Sequence, residues 1–101
     1  MKIEEGTVMT FKLNFGEELT AKVIKGPDEE GWMMLEEPVS IAPGPQGMGL
    51  VPSMFTANTK EEIRLNTKSI SLYGVTDDAV RSKYIEAVTG IKVPDKKLIL
   101  G

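Results

Sequence analysis

Apolar and polar side chains alternate strictly along the segment from Met9 to Phe15. A two-residue period places alternate side chains on opposite faces of a strand, so this segment predicts a half-buried β-strand. Gly16 follows as a turn residue, and a second alternating run extends from Leu19 to Lys25. The short separation between the two runs predicts a β-hairpin, with Phe15 and Leu19 among the side chains on its buried face.

A third strand is expected after a break at residues 26–31, where the apolar run 32–35 begins. Pro38 has no backbone N–H, so this strand must bend, end or lie at a sheet edge there. The segment 42–60 is rich in proline and glycine and predicts a long loop. Its apolar part, residues 43–55, either folds back over the open end of a barrel or forms a contact surface for another molecule.

Two short strands and one helix complete the pattern. Residues 62–66 and 69–73 alternate again, and Ile70 and Leu72 are expected on the buried face. The period then changes to that of an amphipathic helix over residues 76–90. This order predicts a mainly β fold, a small five-stranded SH3-like or Sm-like open barrel with one C-terminal α-helix; the OB fold is the other candidate.

The chain is expected to form a single domain over its 101 residues. The barrel core covers residues 7–75, the helix covers residues 76–90, and a C-terminal tail covers residues 91–101. The tail contains three consecutive aliphatic residues at 98–100. Because such a run is costly to expose to water, we expect it to pack on the same chain or on a neighbouring one.

Neither cysteine nor histidine occurs in the chain. The absence of cysteine rules out disulfides, zinc ribbons and thiol nucleophiles. The absence of histidine removes the commonest general base and the commonest transition-metal ligand. The aspartates, glutamates and lysines form no catalytic or metal-binding constellation in the sequence. We therefore expect a protein that is not an enzyme and that uses no cofactor and no metal.

The formal net charge of −3 argues against a strongly basic nucleic-acid-binding protein, but it leaves room for a local basic patch. The N-terminus carries acidic residues where a signal peptide requires basic and then apolar ones. No segment has the composition of a membrane span, so we expect no membrane association. The cytoplasm is the simplest expected location.

Several segments resemble the Sm/LSm superfamily. The hairpin segment 11–23 is similar to the Sm1 motif, and residues 32–35 resemble its third strand. Residues 68–73 are similar to the lysine-containing turn and last strand of the bacterial host-factor RNA chaperone, a member of this superfamily. The resemblance covers residues 7–75. The whole chain looks closest to a group of Sm-like proteins from marine metagenomes attributed to cyanophages, which would place it in the host cytoplasm.

The resemblance implies a homo-oligomeric ring of about five to seven subunits, with strand pairing between neighbours. The interface residues would be Ile63, Leu65, Ile70 and Leu72. It also implies binding of single-stranded RNA, with DNA as the alternative, in nucleic-acid processing or remodelling. A protein–protein scaffold or phage assembly ring that uses the apolar segment 43–55 is the other interpretation.

Six residues are candidates for nucleic-acid binding: Trp32, Asn66, Lys68, Tyr73, Lys12 and Lys22. The aromatic side chains could stack on bases, and the lysines could contact phosphate. Each also has a simpler structural role, because tryptophan often packs in a core or an interface and isolated lysines are usually solvated. In the family, an aspartate and an asparagine at the entry to the third strand bind base and ribose; Asp28 matches the first, and Trp32 occupies the second position.

Overall fold

The computed structural model describes residues 1–45 and 47–89, so the tail 91–101 with its aliphatic run lies outside the described residues. The described chain forms one open antiparallel sheet of six strands, in the order β4-β3-β2-β1-β6, with β5 beside β3. A short 3-10 turn precedes β6, and a helix follows it. The elements are β1 Val8–Leu13, β2 Glu18–Lys25, β3 Trp32–Gly44, β4 Gly47–Pro52, β5 Ile63–Asn66, the 3-10 turn Thr67–Ser69, β6 Ile70–Val75 and α1 Asp78–Thr89.

The sheet has one strand more than the sequence predicted, because part of the expected loop 42–60 is a β-hairpin. β3 continues to Gly44, and β4 pairs with it from Gly47 onward. Gly47 has a φ of +104°, which a side chain would disfavour and which permits the tight turn. Prolines are tolerated here because the last residues of β3 pair only with β4, so fewer backbone N–H groups are needed. The prediction of a loop is therefore wrong for residues 42–44 and 47–52.

β3 bends at Pro38, in agreement with the sequence prediction for that residue. The pairing register with β2 shifts there, so that β3 has one more residue than β2 between two paired positions. Glu37 adopts a φ of +49°, in the left-handed region, as often occurs in a β-bulge. On one edge, β3 pairs with β5 before the bend and with β4 after it. On the other edge, β3 pairs with β2 on both sides of the bend.

One face of the sheet surrounds the main hydrophobic core, and the alternation in the first two strands predicts its members correctly. The buried residues are Met9, Phe11, Leu19, Ala21, Val23, Met33 and Leu35. Leu65 of β5 and Ile70 of β6 also pack against this cluster. Since β5 and β6 lie on opposite sides of β1 and β2, the sheet must curl for both strands to reach the same core.

Two side chains expected inside the core lie outside it. Phe15 is 99% exposed, because β1 ends at Leu13 and the alternation does not continue into the turn. Leu72 is 65% exposed. A bulge pairs Ile70 with Leu13 but Leu72 with Lys12, and adjacent residues of β1 point to opposite faces. Ile70 therefore faces the core and Leu72 faces away from it.

The helix α1 packs on the outer face of the sheet, as its apolar stripe predicts. Tyr84 is buried there against Val8, Val39 and Leu50. Asp77 caps the helix, since its carboxylate accepts the backbone N–H groups of the next turn at 3.0 and 3.3 Å. Within the described part of the chain, no helix has the length and apolar character required to cross a membrane.

The hydroxyl of Tyr84 joins β2 to β3 at the bend. It accepts the backbone N–H of Lys22 at 3.1 Å and donates to the carbonyl of Glu36 at 2.9 Å. Lys22 and Glu36 are paired in the register of β2 and β3. The hydroxyl of Tyr84 therefore links the two strands beside the bulge, where their direct hydrogen bonding is interrupted. Burial raises the pKa of Tyr84 far above its ordinary value, which keeps the hydroxyl protonated and able to donate.

Replacing Tyr84→Phe removes only this hydroxyl and leaves a partly buried N–H and a partly buried C=O without their partner. We expect the free energy of unfolding to fall by about 1–3 kcal/mol. Urea unfolding at one protein concentration, followed by far-UV circular dichroism, measures the change. Tyr73→Phe is the matched control, because Tyr73 is 47% exposed and its loss should change stability by less than about 0.5 kcal/mol. Equal effects of the two substitutions would contradict the bridging role of Tyr84.

Candidate nucleic-acid interface

Two turns that are far apart in the sequence meet at one end of the sheet. The turn 26–31 leads into β3, and the 3-10 turn follows β5. Trp32 and Asn66 are register partners on these two strands. The backbone N–H of Thr67 donates to the carbonyl of Gly31 at 2.8 Å. Three predicted site residues are thus brought together, and we call Trp32, Asn66 and Lys68 the Trp32 surface.

The side chains of the Trp32 surface are accessible to a ligand. Trp32 is 41% exposed although it lies in a strand, and Lys68 is exposed at the tip of the 3-10 turn. Among the described residues, no carboxylate forms an ion pair with Lys68. The Asn66 side-chain oxygen accepts the N–H of Lys68 at 2.9 Å, which leaves the amide NH₂ group as a donor. The Trp32 surface therefore combines an aromatic ring and an amide on paired strands with an ammonium group in the turn that follows.

Asn14 fixes the backbone of the 3-10 turn from the other side. Its amide donates to the carbonyl of Lys68 at 2.7 Å, and its carbonyl oxygen accepts the hydroxyl of Ser71 at 2.7 Å. Its backbone N–H also donates to Ser69 at 2.8 Å. The sequence pattern did not reveal this role. An asparagine between a strand and a turn glycine is a signal for such bonds, but its partners are more than fifty residues away.

Asp28 stabilises the turn in front of Trp32. One oxygen of its carboxylate accepts the backbone N–H groups of Glu30 and Trp32, each at 2.9 Å. The bond from Trp32 is the main reason that the pKa of Asp28 lies below its ordinary value, so the group is ionised at neutral pH. The family resemblance assigns Asp28 to a base or ribose. In this structure one of its oxygens is used by the turn instead.

The other three predicted site residues lie elsewhere. Lys12 and Tyr73 line a groove of about 580 Å³ beside α1. Lys22 lines a second cavity of about 770 Å³ that also contains Glu36 and Glu37, so its positive charge has acidic neighbours. No residue of the Trp32 surface contributes to the lining of either space. The six candidates therefore do not form one continuous surface.

Comparison with known proteins adds no family assignment: the sequence matches no protein-family model and no curated protein. The Sm-like resemblance therefore stays a prediction. What bears on function is the geometry of the Trp32 surface, together with the edges of the sheet.

Gly31 determines how closely the two turns approach. It has a φ of +89°, and a Cβ atom there would lie 2.7 Å from the side-chain oxygen of Thr67. Gly6 has nearly the same φ, +87°, but open space around it. We expect Gly31→Ala to lower the free energy of unfolding by roughly 1–3 kcal/mol more than Gly6→Ala, because only the first substitution adds a steric clash to the backbone strain.

The two variants are compared by urea unfolding under identical conditions, with the unsubstituted chain as reference. Because the strain at positive φ is common to both, the difference between them reports the contact between the turns. Equal losses of stability would show that the turns do not constrain each other.

Proposed function

We propose that this protein is an Sm-like β-barrel that assembles into a homo-oligomeric ring of about five to seven subunits and binds single-stranded RNA. Single-stranded DNA is the alternative nucleic acid. The proposed role is to position or remodel nucleic acid without catalysis. The observation that carries the proposal is the Trp32 surface, where side chains suited to a base and to a phosphate are held by the backbone of two interlocked turns.

The chemistry of the Trp32 surface matches the needs of a single-stranded nucleic acid. The exposed indole of Trp32 offers a face for stacking, worth about 1–3 kcal/mol per base. The ammonium group of Lys68 suits a phosphate, and the amide of Asn66 suits an acceptor on a base edge. Hydrogen bonds fix the backbone of both turns, which carries these three residues, so less backbone order has to be gained on binding.

The edges of the sheet support the ring. Within the described residues, β5 pairs only with β3, and β6 pairs only with β1. Each strand therefore leaves one row of backbone groups unpaired, and pairing β5 with β6 of a neighbour would satisfy both rows. Leu72 and Val75 on β6 are 65% and 74% exposed, an unusual apolar content for a solvated edge.

A ring also explains how an acidic chain can bind a polyanion. Each subunit would contribute one Lys68 to a circle of positive charges at the same height. Clustered charges produce a local positive potential even where the net charge of the chain is −3. The Trp32 surface would recur once in each subunit, so that successive nucleotides could occupy successive sites.

The second candidate function is a protein–protein scaffold or phage assembly ring. The observation in its favour is the exposure of three apolar side chains on and after β4: Met48, Met54 and Phe55, at 64%, 45% and 80%. Such side chains are typical of contacts with another protein. Salt distinguishes the two functions, because phosphate binding weakens as the salt concentration rises and apolar contacts persist.

Labelled oligo-U, oligo-A and single-stranded DNA should bind the purified protein saturably in fluorescence anisotropy. We expect Trp32→Ala to cost about 1–3 kcal/mol for each stacked base. Lys68→Ala should reduce the slope of log affinity against log salt by about 0.7 for each phosphate that the lysine neutralises. Trp32 is the only tryptophan, so binding should also quench the intrinsic fluorescence of the unsubstituted protein.

Matched controls are Phe55→Ala, which removes an exposed aromatic side chain, and Lys2→Ala, which removes an exposed lysine. Both lie outside the Trp32 surface and should leave the affinity unchanged. Absence of binding at low salt would reject the nucleic-acid function and favour the scaffold. Binding that is equally reduced by test and control variants would remove the Trp32 surface from the site.

Ring formation should depend on the outer edge of β6. We expect Val75→Asp to convert the ring into smaller species in sedimentation velocity, because it places a charge beside the proposed contact between subunits and leaves the groove beside α1 unchanged. Phe15→Asp is the control, since Phe15 is even more exposed and lies on neither β5 nor β6. A single-chain mass for the unsubstituted protein at all concentrations would exclude the ring.

A further inference from the structure

A groove of about 580 Å³ lies on the outer face of the sheet, beside α1. Its walls are apolar and come from three elements, the β3–β4 hairpin, β6 and the helix. They include Met48, Leu50, Leu72, Val80 and Ala87. Met48 and Leu72 are each more than 60% exposed. Monomeric proteins rarely expose a concave apolar surface of this kind to water, so we expect other residues to cover the groove.

The hydroxyl groups on the floor of the groove need no hydrogen bond from a ligand. Thr10 forms hydrogen bonds with Thr20 and with Thr76, each at 2.9 Å between hydroxyl oxygens. Thr20 and Thr76 are buried. Since these hydroxyls already bond to one another, an apolar occupant can cover them without leaving them unpaired. The groove is therefore suited to aliphatic side chains.

We infer that the C-terminal segment of the same chain, residues 91–100, occupies this groove. The length of the chain permits it. The helix has 12 residues and spans about 18 Å, at 1.5 Å per residue. The eight residues after Gly90 span about 26 Å when extended, at 3.3 Å per residue. The segment can therefore turn back after the helix and pass along its whole length, from Ala87 past Val80 to Asp77.

The composition of the segment matches the groove. Glycine at position 90, directly after the helix, is the residue that most readily permits a reversal of the chain. The three aliphatic residues Leu98, Ile99 and Leu100 then match the exposed apolar wall. Two acidic residues, Glu18 and Asp77, and two lysines, Lys12 and Lys83, line the groove, so their charges balance. The match therefore depends on the apolar side chains of the segment.

Docking of the segment affects one predicted site residue. Lys12 lines the groove on the outer face, so the segment covers it and removes it from contact with a nucleic acid. The Trp32 surface lies outside the groove and stays accessible. The inference does not depend on the proposed function, because it concerns the outer face of the sheet and uses neither the Trp32 surface nor backbone pairing between subunits.

Disulfide trapping tests the inference directly, since the chain contains no cysteine. The test variant carries Met48→Cys and Ile99→Cys, and the control carries Phe15→Cys and Ile99→Cys. Met48 lines the groove and is 64% exposed, whereas Phe15 is 99% exposed and lies outside it. Under mild oxidation, we expect an intramolecular disulfide to form at least about tenfold faster in the test variant, because docking raises the local concentration of the partner thiol. Mass spectrometry and non-reducing gels measure the rate.

A test rate no faster than that of the control would overturn the inference. A covalent dimer as the main product, at a rate that depends on protein concentration, would overturn it as well, because the segment would then occupy the groove of another copy. Leu72→Cys with Ile99→Cys provides a second pair with the same expected result, in case the first variant does not fold. Circular dichroism confirms the fold of each variant before oxidation.

Discussion

β3 pairs with three other strands, and the positions of the remaining elements follow from this pairing. One edge of β3 carries β2, and the other carries β5 before the bend and β4 after it. A straight strand could not pair with both β5 and β4 along one edge of a curled sheet. The bulge at Glu37 and Pro38 is therefore essential. Tyr84 completes this arrangement, because its hydroxyl supplies the hydrogen bonds that the bulge removes from the ladder.

A second irregularity determines which surfaces the molecule exposes. The bulge opposite Lys12 and Leu13 turns Ile70 toward the core and Leu72 toward the outside. A shift of one residue thus converts an expected core side chain into a wall of the groove beside α1. The same side chain lies on a strand whose outer edge is unpaired among the described residues. The proposed docking of the C-terminal segment uses the side chain that this shift turns outward, whereas the proposed ring uses the backbone of the unpaired edge.

The Trp32 surface shows how turns can build a site without a pocket. Its side chains come from two turns, and a third turn holds the backbone of Lys68 through Asn14. Gly31 lets the first two turns come into contact, because any Cβ atom would meet Thr67. Such a surface is suited to an extended ligand that crosses it rather than to a small molecule that must be enclosed.

Elements whose pattern is local could be predicted from the amino-acid sequence. Strict alternation identified β1, β2 and their contribution to the core, and the 3.6-residue period identified α1 with its buried Tyr84. The sequence also identified Trp32, Asn66 and Lys68 as candidates, but as separate residues. The folded chain was needed to show that these three lie together, while Lys12 and Lys22 line different spaces.

Three further features became visible only in the folded chain: residues 47–52 form a strand, Leu72 faces outward, and the hydroxyl of Tyr84 bridges β2 and β3. The physical reason is the same in each case. Alternation along one segment depends on neighbouring residues, whereas register, bulges and turn contacts depend on partners distant in the chain. A one-residue shift set by such a partner reverses the face of a side chain without changing the local sequence pattern.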